Sequence, residues 1–298
     1  MESKDTNKVV IVGLLSENNV EQRSKDGRNY VTGNFKIKTD DTNEVAVNVF
    51  AFEDTKKGTK NPAYTQIMSV CDKGISLAAC GGDTTKATKL RASGCRFEEN
   101  MFVSRFNSNI VSTPRVSGSF FTIGVNEDNK AKFDCLINIR ALKDEVDSEG
   151  DETGRLIVEG AIMQFNRWDM INFVIEGKQG VDYARNNWEV GDTVSVSGNI
   201  VSKTTTQKIV KEDSGGFGEP EEETRTYHRT EYVITRGSEP KEDTFAYEKA
   251  EVKQGLADRE RRKAELVEGA KKPAVKATAD DDFGFWEKAI LLDEWLKE

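Results

Sequence analysis

The stretch EVAVNVFAF, Glu44–Phe52, passes through a polar loop, EDTKKGTK, into NPAYTQIMSVCDKG, Asn61–Gly74, and this change of period decides the fold. In the first segment every second residue is apolar. Val45, Val47, Val49 and Ala51 share one face of an extended chain and leave Asn48, Phe50 and Phe52 on the other. The second segment opens with an Asn cap and a Pro at the first helical position. Tyr64, Ile67, Met68 and Cys71 then follow helical spacing, and Gly74 supplies a stop. A half-buried strand therefore runs into a short amphipathic helix.

Working outward, KVVIVGLLSE (Lys8–Glu17) reads as a buried strand, and a polar loop with a Lys-Asp-Gly turn signal follows it. YVTGNFKIKT (Tyr30–Thr39) alternates, with Val31, Gly33, Phe35 and Ile37 on one face and Tyr30, Thr32, Asn34, Lys36 and Lys38 on the other. Beyond the helix come strand-like runs at Ala87–Phe97 and Met101–Ser112, with EEN between them read as a turn. Three strands, a helix and two strands is the layout of a five-stranded OB-type barrel. The same order recurs at Lys132–Leu142, GRLIVEGAIMQFN, DMINFVIEG, the short helix or turn Val181–Trp188, Asp192–Lys203 and Arg229–Gly237. The expectation is a mainly β chain of two tandem five-stranded OB-type barrels followed by a charged, partly helical or disordered C-terminal tail. The boundaries read as 1–115, 116–240, a charged helical or flexible linker over 241–279, and an acidic tip with an amphipathic helix over 280–298, with an extra strand at Ser119–Val125 in the join.

Composition narrows the function. The chain is 36% hydrophobic and 32% charged, so a core forms only where apolar residues concentrate. No run of eighteen apolar residues and no signal-peptide core occur, which makes a cytoplasmic, membrane-free location the expectation. Cys71, Cys80, Cys95 and Cys135 form no Cys-x-x-Cys pair and His228 is the sole histidine, so neither a zinc site nor any other metal or cofactor is expected. No nucleophile elbow, Walker loop or dinucleotide fingerprint appears, and no catalytic residue is assigned.

Carboxylates are plentiful, so a paired-acid enzyme acting on a glycan or nucleotide is a third reading, but no placement in the sequence argues for one, and binding is the leading class. Tyr30, Phe50 and Phe52 lie opposite the apolar stripes of neighbouring strands, where flat rings can stack on bases. Lys36 and Lys38 share the Tyr30 face, Arg23, Lys25 and Arg28 stand in the loop before it, Lys56 and Lys57 follow Phe52, and Arg91 and Arg96 lie in the next strand. In the second repeat Trp168 is the candidate ring. The competing reading puts Phe50 and Phe52 over a second small core and Trp168 inside its barrel. Charge separates the parts: residues 8–115 carry +4, residues 119–240 carry −9 and residues 279–298 carry −5, within a total of −9. A basic module beside acidic ones is compatible with nucleic acid as partner.

The tail adds ATADDDFGF, Ala277–Phe285. Two OB-like units, a charged linker and this acidic, aromatic motif resemble the single-stranded DNA-binding proteins of bacteria and their phages. The resemblance implies a protein without enzymatic activity that coats single-stranded DNA in replication or recombination and recruits partner proteins. It also implies that Asp280, Asp281 and Asp282 meet a basic patch while Phe285, aided by Phe283, enters an apolar pocket. Gly284 stands where that family has Pro, and thirteen residues follow Phe285. Homo-oligomerisation is a further expectation, since one barrel covers few nucleotides. The alternative is a protein-interaction scaffold of two barrels that binds no nucleic acid.

Overall fold

A computed structural model describes residues 7–104, 107, 109–147, 149–164, 167–210, 222–242 and 245–271. The chain is mainly β. Its first part runs β1 (Lys8–Asn18), β2 (Glu21–Lys25), β3 (Arg28–Lys38), β4 (Glu44–Phe52), α1 (Pro62–Lys73), β5 (Lys89–Val103), β6 (Ile110–Ser117) and β7 (Phe120–Ile123). Its second runs β8 (Lys130–Val146), β9 (Glu152–Gln164), β10 (Arg167–Ile175), α2 (Lys178–Asn187), β11 (Thr193–Val210) and β12 (Glu222–Gly237), and α3 (Lys249–Lys271) follows.

The pairings make two circuits. From β1 they pass to β3, β4, β6 and β5 and return to β1. From β8 they pass to β9, β10, β12 and β11 and return to β8. Each circuit has one parallel pair, β4 with β6 and β10 with β12, and each has its helix directly after the third circuit strand. This element-for-element correspondence lets a face of one ring be compared with the same face of the other.

The two rings share a sheet. β1 pairs with β8 over Lys8–Val12, so one continuous sheet holds both. The core is continuous as well. Phe97 of the first ring contacts Phe133, Phe173 and Tyr232 of the second, with ring centroids 5.5, 5.9 and 4.5 Å away. Apolar residues at every second position of β4, Val45 to Ala51, line that core as the sequence dictates. The helix cap is also as read, with Asn61 accepting from the Ala63 amide.

Three elements differ from the sequence reading. The polar loop before Tyr30 contains a hairpin arm: β2 pairs with β3 across the turn Asp26–Gly27. The expected turn at Glu98–Asn100 is uninterrupted strand, because each carboxylate finds a cation or donor across the sheet. Helix α3, read as a charged linker, is docked on β10 and touches β5 and β6. The tail residues Asp280, Asp281, Asp282, Phe283 and Phe285 lie outside the described residues. No described helix is long and apolar enough to cross a membrane.

Candidate nucleic-acid interface

Antiparallel register brings the three candidate rings together. Tyr30 lies opposite Phe52 and Thr32 opposite Phe50, so Tyr30, Phe50 and Phe52 fall on the outer face of β3 and β4. Their centroids are 5.6 Å (Tyr30–Phe50), 5.9 Å (Tyr30–Phe52) and 5.2 Å (Phe50–Phe52) apart, with the last two pairs edge to face. Such pairs contribute about 0.5–1.5 kcal/mol beyond their buried area. The trio is graded in depth. Tyr30 is 7% exposed and forms the floor, whereas Phe50 and Phe52 are half-buried and present ring surface outward. The Arg28 guanidinium stands 4.1 Å from the centroid of Phe52, a cation over a ring.

Beside Phe50 a groove of about 340 Å³ opens between β4, β5 and the β6–β7 junction. Asn48, Phe50, Arg96, Glu98, Ser119 and Phe120 are among its lining residues. Phe120 is 47% exposed. It stands on Gly94, whose φ of +64° marks the bulge where β5 leaves β1 pairing register; a Cβ there would lie 2.9 Å from the ring. Glu98 is held by Arg115 at 3.0 Å, by the Ser117 hydroxyl at 2.6 Å and by the Gln164 amide at 3.1 Å. Burial alone pushes the Glu98 carboxyl up, but Arg115, Ser117 and Arg167 together hold it below its ordinary value.

The sequence-predicted cations divide into groups. Arg23 lies across from Tyr30 in the β2–β3 hairpin and pairs with Glu21 at 2.9 Å, and Lys25 and Arg28 flank the turn. Arg96 lines the groove. Lys56 and Lys57 are exposed in the loop after β4. Lys36 and Lys38 share the Tyr30 face but stand about 20 Å or more along β3, at 3.3–3.4 Å per residue. There Lys36 is 2.8 Å from Glu17 and Lys38 is 3.4 Å from Asp41. The Glu17 hydrogen bond raises the Lys36 amine above its ordinary value. Arg91 pairs with Glu127 before the bulge.

Trp168 does not join this surface. It is 3% exposed and packs under α3 against Tyr247, 4.7 Å between centroids. Sequence reasoning missed Phe120, although the strand expected at Ser119–Val125 carries the signal: Phe121 points into the core, so its neighbour points out. Among the described residues no group of His, Cys, Asp or Glu is placed to hold a metal ion.

The fold and this surface define a mainly β protein of two fused sheet circuits with an aromatic, arginine-flanked patch on the first. The chain matches the YorF family model over residues 5–271 and belongs to that family. No curated protein matches it. Among solved structures it is similar to the wild-type single-stranded DNA binding protein from Thermus aquaticus, at 12% identity over 80% of this chain and 94% of that one, with a TM-score of 0.45. A deletion mutant of the Thermus protein gives 14% identity over 80% and 95%, with a TM-score of 0.43. A replication protein A heterotrimer bound to single-stranded DNA gives 12% identity over 78% and 51%, with a TM-score of 0.17.

Proposed function

We propose that this chain is a non-enzymatic single-stranded DNA-binding protein whose two circuits are OB-type barrels, with the first barrel as the binding module. The observation that carries the reading is the groove lined by Phe50 and Phe120, with Phe52 edge to face against Phe50, Arg28 over the Phe52 ring and Arg96 in the groove wall. Bases stack on ring faces, and guanidinium groups meet the phosphates between them, a combination that grips a single strand without reading sequence. Arg23, Lys25, Lys56 and Lys57 extend the cationic margin. Lys36, Lys38 and Arg91 stand outside this central patch, and Trp168 takes no base in this arrangement.

The finer role is coating single-stranded DNA in bacterial or phage replication or recombination. The acidic tip Asp280–Asp282 with Phe283 and Phe285 recruits partner proteins. The first barrel unit runs through β7, the second runs from β8 to β12, and the stretch after them leads to the tip. Titrating a fluorescent oligo(dT) and following anisotropy at low and high salt tests the reading. Binding that weakens steeply with salt is expected. Absence of binding at low salt ends it and leaves the protein-interaction scaffold.

A further inference from the structure

Helix α3 lies across the outer face of the second ring. Leu136 of β8, Ala161 and Met163 of β9, and Trp168 and Met170 of β10 form an apolar strip, and Tyr247, Val252 and Leu256 cover it. By circuit position β8, β9 and β10 correspond to β1, β3 and β4, so the covered strip is on the outer face that carries Tyr30, Phe50 and Phe52 in the first ring, but at the β9–β10 hairpin end, whereas those three rings stand at the far end of β3 and β4. We propose that this hairpin end of the face is a helix-docking site whose resident is α3, and that the docked helix closes that end to nucleic acid.

The seat is specific. Gly255 sits within α3, where glycine weakens a helix. Its reason is Trp168: a Cβ at position 255 would lie 1.7 Å from Cδ1 of the indole. The Trp168 ring thus lies directly against the helix backbone, which only a residue without a side chain permits. The Tyr247 hydroxyl donates to the Leu136 carbonyl at 3.3 Å, and the Tyr247 amide to Thr193 Oγ1 at 3.1 Å.

The charges beneath the helix select its occupant. Glu99 is 3% exposed and Asp169 fully buried. Arg259 grips Glu99 through both oxygens at 2.5 and 2.7 Å. Arg262 donates to the Trp168 carbonyl at 2.7 Å and approaches Asp169 at 3.4 Å. Arg167 also donates to Asp169, at 2.8 Å. Without α3 this surface would present two carboxylates, which repel a phosphate backbone. It is built for a helix bearing arginines on one side and small or apolar residues on the other, in the manner of a helix laid in a groove. Glu99 belongs to β5, Asp169 to β10, so the same contacts tie the two rings to each other.

The part of the inference that concerns DNA rests on the binding reading above, and the helix seat itself does not. Hydrogen–deuterium exchange on the full chain separates them. In Gly255→Leu, amides of α3 should exchange at least about tenfold faster while those of β8–β10 keep their protection. Arg259→Gln with Arg262→Gln should do the same without added bulk, which covers the case in which the leucine variant fails to fold. Unchanged α3 protection in the variants would overturn the docking site. Adding oligo(dT) to the wild type should then protect β3, β4 and residues 117–120 and leave β9, β10 and α3 as they were. Loss of α3 protection, or new protection on β9 and β10, would overturn the closure. If no oligonucleotide binds at all, only the DNA reading fails, because the variant result stands without it.

Discussion

Truncating the two outward rings is the sharpest test of the surface on the first circuit. In Phe50→Ala and Phe52→Ala each variant removes one stacking face, and a stacked base is worth about 1–3 kcal/mol. At 1.4 kcal/mol per decade, each should weaken oligo(dT) binding about 5- to 150-fold. The two are not independent. Their rings brace each other edge to face at 5.2 Å and both rest on Tyr30, so removing one loosens the other. The double variant should therefore lose less than the product of the singles, by a coupling of about 0.5–1.5 kcal/mol. Folding must be monitored alongside, since a half-buried Phe truncated to Ala costs about 2 kcal/mol, roughly half the full-burial value. Anisotropy titrations with labelled oligo(dT), paired with thermal melts, give both quantities. Two folded single variants binding within twofold of the wild type would refute the stacking argument.

If Arg23, Lys25, Arg28 and Arg96 each meet one phosphate, the single-strand slope of about −0.7 per contact predicts a total near −3, or about a 50-fold loss for a fourfold rise in salt. Arg28→Gln should reduce that slope by about 0.7, measured by the same titration at several salt concentrations. Phe97→Ala, at the junction of the two cores, should destabilise the chain by about 3–5 kcal/mol in urea unfolding, and a loss under 1 kcal/mol would contradict a shared core. Burial pushes the Glu99 carboxyl up, but Arg259, Ser112 and the Met170 amide hold it below its ordinary value. A depressed carboxylate stabilises fully above the unfolded pKa of about 4.3 and loses that contribution as pH falls through the folded value. Glu99→Gln should accordingly be less stable than wild type at neutral pH and show a shallower loss below about pH 4 in melts across pH.

The sequence by itself determined the first three circuit strands of each ring, the helix after the third of them, and the repetition of that order, because these follow from local period and capping; it did not show the β2 arm or where β5 gives way to β6. It also put Phe50 and Phe52 on the side of their strand opposite its apolar stripe, and Tyr30 likewise on its own strand, since alternation fixes which side of a strand a residue takes; the β3–β4 register then joined the two faces. Only the tertiary structure decided how deep each ring sits: Tyr30 became the floor and Phe120, from the joining segment, became a wall. Depth depends on which strand lies next door, and the bulge at Gly94 that seats Phe120 has no local signature. Trp168 shows the same divide, its exposure set by a helix about eighty residues further along the chain. That helix looked like a linker because its anchors are arginines. Arginine reads as solvent-facing until the structure reveals Glu99 and Asp169, far apart in sequence, waiting beneath it.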